Sequence, residues 1–282
     1  MLHTFELEII RWIQQIRTPS LDAFFRFLDF FDKPEFFCIL IPAIWLIKGQ
    51  RTGSKLFYIL LCSGFTNHVL KTLLASPRPF HLDPLVGLLP KTGYGLPSGA
   101  AQTVMLLSAL ALSTGKNFYK WAVVLPYILF VSFARIYLGI HFPSDILAGW
   151  SVGLVLWACY RHLFPFLEKI ASKLSPLFQC FLCQIPLILL LTFVPTFGAA
   201  YACTSASGVG IGILLNHKLR WSLPSTSHTK EKALRALIGI GGTFLCYLLV
   251  SISPIMAFFC TGLWVSTGSL WICKKIQTFQ EA

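Results

Sequence analysis

The chain has 282 residues, 55% of them hydrophobic and 12% charged, with a mean hydropathy of +0.70 and a net charge of +12. A soluble domain carries about 25% charged residues, so this composition excludes an ordinary soluble protein. The apolar runs are continuous and do not alternate, which excludes a membrane β-barrel and predicts an all-α, polytopic membrane helical bundle.

In chain order, residues 4–17 are amphipathic at helical spacing, with Phe5, Ile9, Trp12, Ile13 and Ile16 on one face. The segment is too short and polar to span, so it is expected to lie on the membrane surface. Thr18-Pro19-Ser20 ends it. A first membrane helix is predicted from about 30 to 48, a second over about 54–75, a third from Ser98-Gly99 to about Ser113, a fourth over about 118–138 and a fifth over about 143–163. Residues 76–97 form a loop rich in Pro and Gly. Further apolar runs at about 177–195, 198–215, 233–252 and 254–273 bring the expected count to about nine membrane helices. No basic region followed by an apolar one opens the chain, so no cleaved signal peptide is expected. The nine cysteines lie mostly in apolar runs and read as small buried hydrophobes.

The basic residues fall between apolar runs, where topology and anionic headgroups account for them better than nucleic acid does. Alternate loops collect most of them, including Lys48, Arg51, Lys55, Lys116, Lys120 and Arg161, and are expected to be cytoplasmic. The opposite side is poor in basic residues, and those it has (Lys71, Arg78, Lys91 and Arg135) cluster in the sequence around one corner. That corner runs Arg135-Ile-Tyr-Leu-Gly-Ile-His141-Phe-Pro-Ser-Asp145. Gly139 suits a helix end and Pro143 the first turn of the next helix. His141 and Asp145 then lie one turn apart on one face, so the carboxylate can hold one ring nitrogen and leave the other free to attack. Fixed cations around an imidazole repel one another unless an anion sits between them, and phosphate suits Lys71, Arg78 and Arg135. Ser98 and Gly99 open a helix whose N–H groups can face the same anion. Lys91 reads as a loop charge.

Lys71-x6-Arg78-Pro79, Pro97-Ser98-Gly99 and Arg135-x5-His141-x3-Asp145 together resemble the signature of the type 2 phosphatidic acid phosphatases, over about residues 20–163. The chain is then expected to have three parts: an interfacial amphipathic helix (1–19), a lipid phosphatase-like transmembrane core (20–163) that carries the resemblance, and a C-terminal transmembrane extension (164–282) outside it. The resemblance implies hydrolysis of a lipid mono- or diphosphate, His141 as the nucleophile that becomes a phosphohistidine and Asp145 as its orienting partner. Lys71, Arg78, Arg135, Ser98 and Gly99 would bind phosphate. No metal or cofactor is implied, since the cations already answer the developing charge. The implied partners are a phosphorylated lipid and the membrane, and the implied location is a bacterial inner membrane with the site facing outward. The pattern departs from the family at Ala100, where a histidine usually protonates the leaving oxygen. Ala100 leaves three readings open: an engineered change, a non-catalytic lipid-phosphate binder or transporter, or an enzyme that acts without this acid. His81 and His68 are the candidates to stand in, and a lipid phosphotransferase is a further alternative.

Overall fold

The computed structural model describes residues 2–115, 118–193, 197–224, 226 and 228–280. It is helical, with no strand among the described residues. The helices are α1 (Leu2–Gln14), α2 (Pro19–Leu28), α3 (Pro34–Lys48), α4 (Gln50–Leu74), α5 (Pro79–Leu82), α6 (Gly99–Ser113) and α7 (Tyr119–Tyr137). They continue with α8 (Pro143–His162), α9 (Phe164–Ala171), α10 (Pro176–Phe193), α11 (Phe197–Leu219), α12 (Thr229–Tyr247), α13 (Pro254–Leu263) and α14 (Ser269–Gln280). Lys116 and Pro195, which the sequence places in connecting loops, lie outside the described residues.

Helix starts follow local chemistry. Thr18 caps α2 by accepting from the Leu21 N–H, with Pro19 at the first helical position, where its missing donor costs nothing. Pro143 does the same for α8. Gly139, at φ +65°, ends the stretch after α7 in a left-handed conformation that a side chain would strain.

Among the described residues four segments are long and apolar enough to cross a bilayer: Tyr119–Tyr137, Gly198–Leu219, Thr229–Ser251 and Pro254–Ile276. A fifth results if Pro143–His162 and Phe164–Ala171, bent by 44°, form one span. The expected nine are not reached by this measure. Gly99–Ser113 and α3 stop at 15 residues each, and Asn67, His68 and Lys71 interrupt the apolar run of α4. The chain is an integral membrane protein.

The helices form two compact units. One comprises Met1–Lys33 with Cys62–Phe166, the other Pro34–Leu61 with Leu167–Ala282. In the second, α3 packs on α12, where Gly239 admits Leu46 and Pro42. There α11 also lies close against α13, with Gly208 facing the Phe259 backbone. Asn216 is buried in this unit and donates to the Gln50 side chain (2.8 Å) and the Ser266 carbonyl (2.7 Å).

The first unit carries the candidate site. One apolar cluster joins α1, α2 and α7 through Ile13, Phe25, Leu28, Ala134 and Tyr137. A second joins α6 and α7 through Ala100, Val104, Val124, Ile128 and Val131. Helices α6 and α8 approach closely at Gly149, where an added Cβ would stand 2.6 Å from the Ser98 carbonyl oxygen and 3.0 Å from Ala101 Cβ. That contact ties the start of α6 to α8. Gly149→Ala is therefore expected to destabilise the protein by about 1–3 kcal/mol through overpacking. Gly64→Ala, at a helical position with open space around it, should be neutral or slightly stabilising. Denaturant unfolding of both variants in detergent micelles checks this.

Candidate active site

Three chain segments converge in the first unit: the end of α4 with the loop that follows it, the start of α6, and the corner between α7 and α8. Ser98 N–H donates to the Asp145 carbonyl (3.0 Å), which fixes the α6 start against the corner. Asn67 reinforces this by donating to the Pro97 carbonyl (3.2 Å) and the Gln102 side chain (2.9 Å).

His141 is 5% exposed and Asp145 fully buried. His141 Nδ1 lies 3.2 Å from Asp145 Oδ2, which also accepts from the Phe142 N–H at 2.9 Å. A carboxylate only accepts, so Nδ1 carries the ring proton and Nε2 presents its lone pair. Arg78 Nη1 lies 3.3 Å from that Nε2 and donates to the Ile140 carbonyl at 2.9 Å. The rest of the guanidinium donates to the carbonyls of Gly93 (2.8 Å) and Thr92 (3.2 Å). Lys71 Nζ donates to the carbonyls of Tyr94 (2.7 Å) and Gly95 (3.0 Å). Segment 92–95 thus supplies oxygens to both cations.

Burial holds His141 well below its usual 6.5, and the fields of Arg78, Lys71, Arg135 and Lys91 add to the effect in that order. The ring is neutral at physiological pH, the form an attacking nitrogen needs.

Arg135 is placed differently from an open phosphate fork. It is fully buried and ion-paired through Nη1 to Asp29, with Nη2 donating to the Leu28 carbonyl (3.1 Å). Lys91, read from the sequence as a loop charge, stands 3.2 Å from Asp29 and 3.5 Å from Asp32. Burial pulls the Asp29 carboxyl upward, but Arg135 and Lys91 outweigh it and hold the group below its ordinary value.

Ser98 is fully buried, and its hydroxyl accepts from the Ala101 N–H at 3.5 Å as the cap of α6. Gly99 faces Asn67, where a Cβ would be 3.1 Å from Oδ1. Ala100 is 1% exposed and belongs to the apolar cluster with Val104, Val124, Ile128 and Val131. Of the possible stand-ins, His81 uses Nδ1 to accept from the Arg78 N–H at 3.2 Å, so it shapes the turn that carries Arg78.

Sequence reading missed Asp29 and Glu6. Glu6, 4% exposed, accepts from the Ser144 N–H at 2.7 Å and the Ser144 hydroxyl at 3.0 Å. A signal existed: Glu6 falls at helical spacing with Ile10 and Ile13, on the side of α1 that is buried.

Removing Asp29 leaves Arg135 buried without its main counter-charge. Asp29→Ala is expected to cost about 3–5 kcal/mol, and Asp29→Ala with Arg135→Met should regain most of it. Urea unfolding in detergent measures both. The depressed His141 also fixes the sign of an acid limb. Protonation of His141, which blocks attack, sets in only at a pH more acidic than 6.5, so its acid limb should lie below that value. Arg78→Gln removes the largest of these cationic fields and should move that limb to higher pH, read from the pH profile of kcat/KM.

The PAP2 superfamily model matches residues 52–169. An undecaprenyl-diphosphatase from Sulfolobus acidocaldarius is 31% identical over 153 residues, covering 53% of this chain and 73% of that protein. A lipid A 4'-phosphatase from Porphyromonas gingivalis is 30% identical over 168 residues, covering 54% of this chain and 69% of that protein. Glucose-6-phosphatase catalytic subunit 1 from Bos taurus is 29% identical over 212 residues, covering 64% of this chain and 59% of that protein. The first two likenesses extend over more than two thirds of the relatives' length, and the matched segment carries Lys71, Arg78, Ser98, His141 and Asp145: the chain belongs to the PAP2 superfamily.

Proposed function

We propose that this protein is a membrane lipid phosphatase that works through a phosphohistidine on His141. The observation that carries the reading is the neutral His141 ring, held at Nδ1 by Asp145 and met at Nε2 by Arg78. Nε2 attacks phosphorus in line, a P–N bond forms, and the P–O bond to the leaving group breaks with its electron pair on that oxygen. Water then attacks the phosphohistidine, the P–N bond breaks, and neutral His141 and phosphate are regenerated. Arg78 and Lys71 exchange the 92–95 carbonyls for phosphoryl oxygens, and Arg135 and Lys91 add positive field. These cations supply the charge a metal would otherwise bring. Ser98 and Gly99 place the α6 N-terminus toward the same anion.

Ala100 narrows the substrate. An alkoxide leaving group needs a proton donor, worth about 10²–10⁴ in rate. A lipid phosphate leaving from a diphosphate departs as a stable anion and needs none. We therefore favour a lipid diphosphate, and the name of the undecaprenyl-diphosphatase relative agrees with this choice. The scarcity of basic residues in the other loops on the side of the site supports an outward orientation, periplasmic if the membrane is a bacterial inner membrane. A non-catalytic lipid-phosphate binder is the second reading, favoured by the apolar surroundings of position 100.

The test is phosphate release in detergent from a prenyl diphosphate and from phosphatidic acid. The unchanged chain should release phosphate from the diphosphate only, and His141→Ala should release none. Ala100→His should raise release from phosphatidic acid by about 10²-fold. Lipid binding without release by any of the three chains would establish the binder instead.

A further inference from the structure

The two residues thought to do the chemistry, His141 and Asp145, are separated by Phe142, Pro143 and Ser144. Two of these three are held by α1, a helix remote in sequence. The His3 ring stacks on Phe142 with centroids 4.5 Å apart and planes 22° apart. Leu7 and Ile10 bury Phe142 from the same side, together with Val86. Glu6 holds Ser144 by two hydrogen bonds, and its Oε2 also lies 3.3 Å from His3 Nδ1. One turn further on, Gln14 donates to the carbonyls of Val86 (2.8 Å) and Tyr137 (2.9 Å), so α1 is fixed to the corner at both ends.

The start of α8 explains why a carboxylate is needed there. Phe142 is its N-cap residue and has no side-chain acceptor to offer, and Pro143 has no N–H. The Ser144 N–H is the first donor left without a partner inside the helix, at a half-buried position. Glu6 supplies the acceptor, and its charge faces the positive end of the α8 dipole. Asp145 is the next residue, and its carboxylate must hold one position to keep the His141 ring in register.

We propose that Glu6 is a positioning residue for the reaction at His141: it caps α8 from outside the helix and fixes the Phe142–Asp145 turn. The inference rests on the phosphatase reading but adds a residue outside the motifs that gave it. A displacement of about 1 Å at a reacting centre can cost about 10²-fold.

Glu6→Ala, Glu6→Gln, Arg11→Ala and His141→Ala are compared in detergent on a prenyl diphosphate. Glu6→Ala should lower kcat by about 10–100-fold with KM changed by less than about 2-fold. Glu6→Gln keeps an acceptor for the Ser144 N–H and should return kcat to within about 3-fold of the unchanged chain. Arg11→Ala removes the exposed ion pair to Asp83 and should leave kcat unchanged. Hydrogen exchange of the 140–147 segment gives a readout independent of turnover: protection should fall in Glu6→Ala and persist in Glu6→Gln. Unaltered exchange in Glu6→Ala overturns the proposal, as does unaltered kcat or a loss that Glu6→Gln fails to recover. Full release by His141→Ala would instead defeat the phosphohistidine reading, leaving the exchange result to decide the role of Glu6.

Discussion

Four cations, Arg78, Lys71, Arg135 and Lys91, act on one buried imidazole, and such a group persists only if each charge is answered where it stands. Asp29 answers Arg135, and Asp29 with Asp32 answers Lys91. Among the described residues Arg78 and Lys71 form no ion pair with a carboxylate and face the carbonyls of residues 92–95 instead. The two kinds of partner differ in consequence. Carbonyl dipoles satisfy donors without cancelling charge, so Arg78 and Lys71 keep a net field for an incoming anion. Arg135, paired with a full carboxylate, has less of its field to offer and more of a role in holding α7 to the turn at 29–32.

The same division explains what the sequence made legible. Most helix positions followed from apolar runs, and the starts of α6 and α8 from Ser98 and Pro143, because capping is local chemistry; Thr18-Pro19 read only as a break, and α2 begins there. The His141–Asp145 contact followed from one turn of helical spacing. Asp29, 106 residues from Arg135, and Glu6, 138 residues from Ser144, left no local trace of their partners. Nor did spacing alone show that residues 34–61 pack with the C-terminal half, since an apolar run states that a face is buried and not against what.

In helix α1 Phe5 and Trp12 are exposed, whereas Ile13, which the sequence places on the same face, is buried, and Ile16 lies beyond the helix end. The wheel has a second buried side, with Glu6, Ile10, Ile13 and the half-buried Gln14 turned toward the protein. Helix α1 thus leaves one apolar face exposed and holds the corner of α7 and α8 with the other.

Ala100 links the electrostatics to the choice of leaving group. Ala100 lies in an apolar cluster with Val104, Val124, Ile128 and Val131, so the side chain present at this position moves no proton. A site of this kind stabilises negative charge by fixed cations and does little to move protons. Fixed cations favour a transition state in which charge spreads over phosphoryl oxygens and onto a leaving group that carries it without protonation. A phosphate leaving group meets that condition and an alkoxide does not.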